Sequence, residues 1–133
     1  MPVDIQLILL IRHDLYRIGL QEILNECSCG QLNVVTATGV ASVALQSFAA
    51  NPESVIIINA KLAEESGIEV TKRIVAHDKE ARIIVMTDTK ISERYAVGLK
   101  SMGIRGCLHE DMEPNDFVEA IIKVYEGEIL FPL

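Results

Sequence analysis

"SVIIINAKL", residues 54–62, runs through four β-branched residues and stops on an amide, Asn59. A run this apolar, without polar alternation, is the pattern of a strand buried on both faces, as in a parallel sheet covered by helices. Outward from it, strand-like runs recur at 5–11, 32–37, 82–87 and 104–108, and the run quoted contributes 55–58. Segments of helical period separate them. In the first helix Tyr16, Leu20, Ile23, Leu24 and Cys27 fall on one stripe; in the second Ala41, Ala44, Leu45 and Phe48 do, with Thr38 as cap. The third, 67–77, can start from Ser66, and the fourth, 92–102, ends at Gly103, where a left-handed cap is preferred. The fifth opens with Pro114 and closes near Gly127. Strict βα alternation with short connections predicts an α/β fold, a doubly wound parallel sheet of five strands with helices on both faces.

The totals bound the function. The chain of 133 residues is half apolar, enough for one domain over 1–133 and too short for two. A net charge of −7 argues against direct binding to a polyphosphate backbone, because that affinity comes from clustered Lys and Arg. The longest apolar run, 7–11, falls far short of the roughly 20 residues of a membrane span. The N-terminus has no secretory pattern, so a cytoplasmic protein without membrane contact is expected. Cys27, Cys29 and Cys107 are an odd number in a chain with an ample core, and reduced thiols are expected. C-x-C alone lacks the second ligand pair of a zinc module, and His13, His77 and His109 share no metal-ligand spacing. No Gly-rich phosphate loop and no nucleophile with a matched base stand out, so neither an enzyme nor a cofactor is expected.

The fifth helix departs from the single stripe. Phe117, Ala120, Ile121 and Val124 make one apolar line, and Val118, Ile122 and Tyr125 a second beside it. The second line is either a broad buried stripe or an interface, and a homodimer is the expected use. The tail adds Ile129, Leu130, Phe131 and Leu133.

The order of elements and several strings resemble the receiver domain of two-component response regulators of the NarL/FixJ (LuxR) type, over essentially the whole chain. "LLIRHDLYRIGLQEIL" (9–24) is similar to that family's first strand and helix, and "SGIEVTKRI" (66–74) to its third helix. "RIIVMT" (82–87), "GLKSMGIRGCL" (98–108) and "AIIKVYEGE" (120–128) resemble later elements in the same order. The resemblance implies a flavodoxin-like, receiver-like sheet in order 2-1-3-4-5 with five helices. It also implies a phosphoacceptor Asp at the end of the third strand, where this chain has Asn59. The family's magnesium-binding acids are matched by Ile11 and Arg12, its phosphoryl-pairing Lys by Glu110, and its switch aromatic by Cys107; the hydroxyl is kept as Thr87.

The chemistry of that set can be judged on its own. Mg²⁺ wants hard anionic oxygens and usually one or two carboxylates, whereas Asn59, Thr87, Ile11 and Arg12 offer an amide, a hydroxyl, an alkyl group and a cation. Guanidinium in place of a metal-binding carboxylate turns attraction into repulsion of about 4 kcal/mol per unit-charge pair at 4 Å near a protein surface. A degenerate, phosphorylation-independent receiver is therefore expected, with no histidine kinase as phosphodonor. The reversed charges suggest an ion pair between Arg12 and Glu110 across the vestigial pocket. One alternative is a sensor of a small ligand or anion in that pocket; another is an active phosphoacceptor using a shifted acid, Asp14 or Asp111, although Asp14 is better placed as a helix cap. The resemblance implies DNA contact only through a C-terminal helix-turn-helix domain absent from this chain.

Overall fold

The computed structural model describes residues 4–28, 30–59, 67–87 and 91–131. The proposed Ser66 cap and Cys29 lie outside those residues. The strands are β1 (Ile5–Leu10), β2 (Leu32–Thr38), β3 (Val55–Asn59), β4 (Arg82–Thr87) and β5 (Gly106–His109). The helices are α1 (Asp14–Cys27), α2 (Ala41–Ala50), α3 (Gly67–His77), α4 (Glu93–Ser101) and α5 (Pro114–Tyr125). The strands pair in parallel in the order β2-β1-β3-β4-β5, the flavodoxin-like order expected.

Alternation along the central strands splits the core in two. Leu7, Leu9 and Ile11, Val55 and Ile57, and Ile84 and Met86 pack with Leu20, Leu24 and Phe117 under α1 and α5. Ile8 and Leu10, Ile56 and Ile58, and Ile83 and Val85 pack with Phe48, Ile74 and Leu99 under α2, α3 and α4. Val55 to Ile58 are fully buried, so the quoted run serves both cores.

The helix ends follow local chemistry. Ser92 accepts a hydrogen bond from the Tyr95 amide at 3.2 Å and caps α4. The other end closes as a Schellman motif: Gly103, at φ +96°, donates to the Lys100 carbonyl, and Ile104 donates to that of Leu99. Two expected caps are corrected. His13, not Asp14, caps α1, its Nδ1 accepting from the Tyr16 amide at 3.3 Å. Thr38 does not cap α2; its hydroxyl accepts from the Val40 amide at 3.0 Å in the turn before the helix.

The doubled stripe on α5 resolves mostly into core. Val118 is buried with Phe117, Ala120, Ile121 and Val124, while Ile122 and Tyr125 are half-buried. Val118 is thereby removed from the candidate interface. Arg82 stacks over the Tyr125 ring at 4.6 Å and donates Nε to the Tyr125 carbonyl at 2.9 Å, fixing the end of α5 to the start of β4. The tail then folds back along β5. Leu130 bridges Gly106 in parallel, its amide donating to Arg105 and its carbonyl accepting from Cys107, and Lys100 lies 5.1 Å from the Phe131 ring. No helix of the described residues is long and apolar enough to cross a membrane.

Candidate functional site

The carboxyl edge of a doubly wound sheet is where ligands gather, and here it is built from the ends of β1, β3, β4 and β5. Leu10 pairs with Ile58 and Asn59 with Met86, so Ile11 and Asn59 stand in one row, with Thr87 and its partner His109 one row further out. Asn59 is half-buried, Thr87 buried and Arg12 exposed. All three have partners.

Ile11 is fully buried in the core beneath α1 and α5. Its backbone organises the edge: its amide donates to the Thr38 carbonyl at 2.9 Å and its carbonyl accepts from Arg17 Nη1 at 2.6 Å. Arg17 also meets Asp14 at 2.8 Å. Gly39 completes this corner, since a Cβ there would stand 3.2 Å from Arg17 Nη1 and 3.3 Å from the Arg12 Cα. Arg17 and Gly39 were not singled out for this role by sequence reasoning. Gly39 at the end of a strand run was the available signal.

At the other end of the edge, the Thr87 hydroxyl donates to the Leu108 carbonyl at 3.5 Å, and the Thr87 carbonyl accepts from the Glu110 amide at 2.9 Å. Cys107 is buried beside Thr87; burial pushes its thiol up, against a smaller opposing effect of a hydrogen bond with Thr87. Thr87, Cys107 and Glu110 therefore form one contiguous corner.

Arg12 and Glu110 do not meet as the charge pattern suggested. The ion pairs between described residues are Arg17–Asp14, Lys123–Glu119 at 3.3 Å and, when the histidine is protonated, His109–Asp111 at 3.8 Å. β1 and β5 are three strand spacings apart, about 14 Å, and Glu110 faces the α1 side instead. There it lines a groove with Tyr16, whose phenol is pushed up to about 12 by burial and, secondarily, by the Glu110 carboxylate.

A family model for the response regulator receiver domain matches residues 10–122. The chain belongs to that family. This receiver domain is 29% identical, over 98% of its length, to the nitrate/nitrite response regulator protein homolog of Haemophilus influenzae, and covers 61% of that protein. It is 25% identical over 93% of its length to the response regulator UvrY of Escherichia coli O6:H1, covering 56% of it. It thus spans a little over half the length of these relatives. The crystal structure of a two-component response regulator of the LuxR family from Aurantimonas superposes with a TM-score of 0.82 at 21% identity, covering 95% of this chain and 88% of that one.

Receiver domains of the family imply a magnesium ion at this edge. The donor set does not fit one: the Ile11 side chain is buried alkyl, Arg12 is cationic and Asn59 is a neutral amide.

Proposed function

We propose that this receiver domain regulates by protein contact without phosphorylation, within a response regulator that controls transcription through a DNA-binding domain elsewhere in the whole protein. The observation that carries it is Asn59 at the end of β3, flanked in its row by the buried Ile11. An amide is a poor phosphoryl acceptor, and an alkyl side chain gives a metal nothing to bind. The net charge of −7 leaves DNA contact to another part of the protein.

Regulation then works through assembly, and a homodimer is the proposed form. Ile122 and Tyr125 remain as half-buried apolar positions on α5, with Val97 of α4 (63% exposed) and Ile129 of the tail (59% exposed) on neighbouring segments. Together they favour a dimer surface on the α4–β5–α5 side. The test is intact-mass measurement after incubation with acetyl phosphate and Mg²⁺, alongside sedimentation with and without both. An unmodified mass and an unchanged dimer are expected; a phosphoryl adduct on this chain would overturn the reading.

A further inference from the structure

Residues 27–52 carry no charged side chain, so the 12 basic and 19 acidic residues of the chain and its three histidines all lie elsewhere. That stretch contains the whole of β2 and the whole of α2. Ala44 and Phe48 turn α2 into the core, and the opposite side shows Ser42, Val43, Gln46, Ala49 and Ala50 to solvent. A solvated helix ordinarily carries charge on its outer side, and a helix without it is ordinarily covered on both.

Polarity around α2 is also inverted. The Ser47 hydroxyl bonds with that of Thr36 on β2, the Asn51 side chain donates to the Ser47 carbonyl at 3.0 Å, and the Thr38 hydroxyl accepts from the Val40 amide. Val40 and Val43, by contrast, are 54% and 42% exposed. Covering the outer face of α2 desolvates two polar side chains, Ser42 and Gln46, and buries no charge.

The absence of charge selects the occupant. Nucleic acid and charged peptides are held by opposite charge, and a helix lying on a membrane pairs its apolar face with Lys and Arg; α2 supplies neither sign. A second copy brings the same uncharged face, whereas elsewhere two chains of net charge −7 repel.

We propose that α2 is a self-association surface, packing antiparallel against α2 of a second copy about a two-fold axis. The middle of the outer face then meets itself: Gln46 stands opposite Gln46, Val43 opposite Ala49 and Ser42 opposite Ala50. A helix of 10 residues is about 15 Å long, too short to fill the roughly 800 Å² per partner of a standard interface, so this contact is weak on its own. It lies at the opposite end of the strand order from the proposed α4–β5–α5 dimer. The two contacts together link dimers into tetramers and larger assemblies when local concentration is high.

The test is sedimentation of the full chain from about 10 µM to 1 mM, the range of a contact below standard size, alone and with Ile122→Glu to weaken the proposed α4–β5–α5 dimer. Self-association should persist in the Ile122→Glu chain. Gln46→Glu and Gln46→Lys, both at an exposed position and both leaving circular dichroism unchanged, should each weaken it by about tenfold or more, because like charges meet across the axis. An equimolar mixture of the two should restore it, since only a two-fold contact sets position 46 against itself. Val43→Ser should weaken it as well. A monomer at the highest concentration, indifference to the Gln46 variants or to Val43→Ser, or a mixture no stronger than either Gln46 variant alone would each overturn the proposal. Rescue by the mixture in a chain indifferent to Ile122→Glu would reject the α4–β5–α5 dimer and leave the α2 contact standing.

Discussion

Arg17 Nη1 reaches back over the β1–α1 turn to the carbonyl oxygen of Ile11 at 2.6 Å. This bond holds the chain at the place where receiver domains of the family carry their metal-binding acids. A charged donor to a partly buried carbonyl is worth about 1.5–3 kcal/mol, whereas the Arg17–Asp14 contact, with Asp14 78% exposed, adds about 1 kcal/mol at most. Arg17→Ala should therefore lower the urea midpoint clearly and Asp14→Asn only slightly. Equal losses would mean that the ion pair, not the carbonyl bond, anchors the corner.

Tyr16 should make stability fall in alkali. Its phenol ionises at about 12 in the folded chain against 10.0 as its ordinary value. The folded state therefore holds the proton more tightly. The resulting stabilisation is complete below pH 10 and is lost as pH rises towards 12. Phenolate absorbance should show the late titration. Because burial is the larger cause, Glu110→Gln should bring the midpoint down only part of the way; a complete return to the ordinary value would make Glu110 the main cause.

Val118 and Ile122 should separate folding from assembly. Glu at Val118, 6% exposed, places a charge in the α1–α5 core and should abolish the cooperative thermal transition. Glu at the half-buried Ile122 should preserve folding and weaken the proposed dimer, read by sedimentation. A cooperative transition in Val118→Glu would contradict the packing described for α5.

Arg12→Glu and Glu110→Lys should act additively on stability, since sites separated by more than about 7–10 Å rarely couple by more than about 0.5 kcal/mol. A larger coupling in a double-mutant cycle would show that the two side chains meet in solution.

Asn59→Asp restores one carboxylate without supplying its metal partners. The variant should gain neither Mg²⁺-dependent thermal stabilisation nor a phosphoryl adduct from acetyl phosphate. Either gain would show that the edge recruits oxygens from elsewhere than positions 11 and 12, whose side chains carry none.

The fold was legible because backbone chemistry speaks locally. The unbroken Val55–Ile58 run announced a strand with two covered faces, and Gly103 announced the one φ, +96°, that ends α4. A Cβ there would also meet Val75 at 3.0 Å, so packing and backbone agree on glycine. Asn59 was legible at the sheet edge as the polar end of an apolar strand run, whereas Ile11, Arg12, Thr87, Cys107 and Glu110 entered as site positions through the family resemblance. Side-chain direction was not legible. Arg12 and Glu110 carry the right signs, but sign alone does not reveal that Glu110 turns towards Tyr16. Nor does periodicity reveal the depth to which a helix sinks, which is why the Val118 line stayed open between buried stripe and interface, and Ile23 read as core.

The Leu130–Gly106 bridge makes the two margins of the sheet unequal. Hydrogen-bonding groups along β5 are partly occupied by the chain's own end, whereas β2 at the far margin has its outer rim uncovered by any described strand. Unguarded rims recruit strands from other molecules. Any concentration-dependent fibre or ribbon of this domain should therefore grow from the β2 side, and a single inward-facing lysine there would be the economical way to keep it in solution.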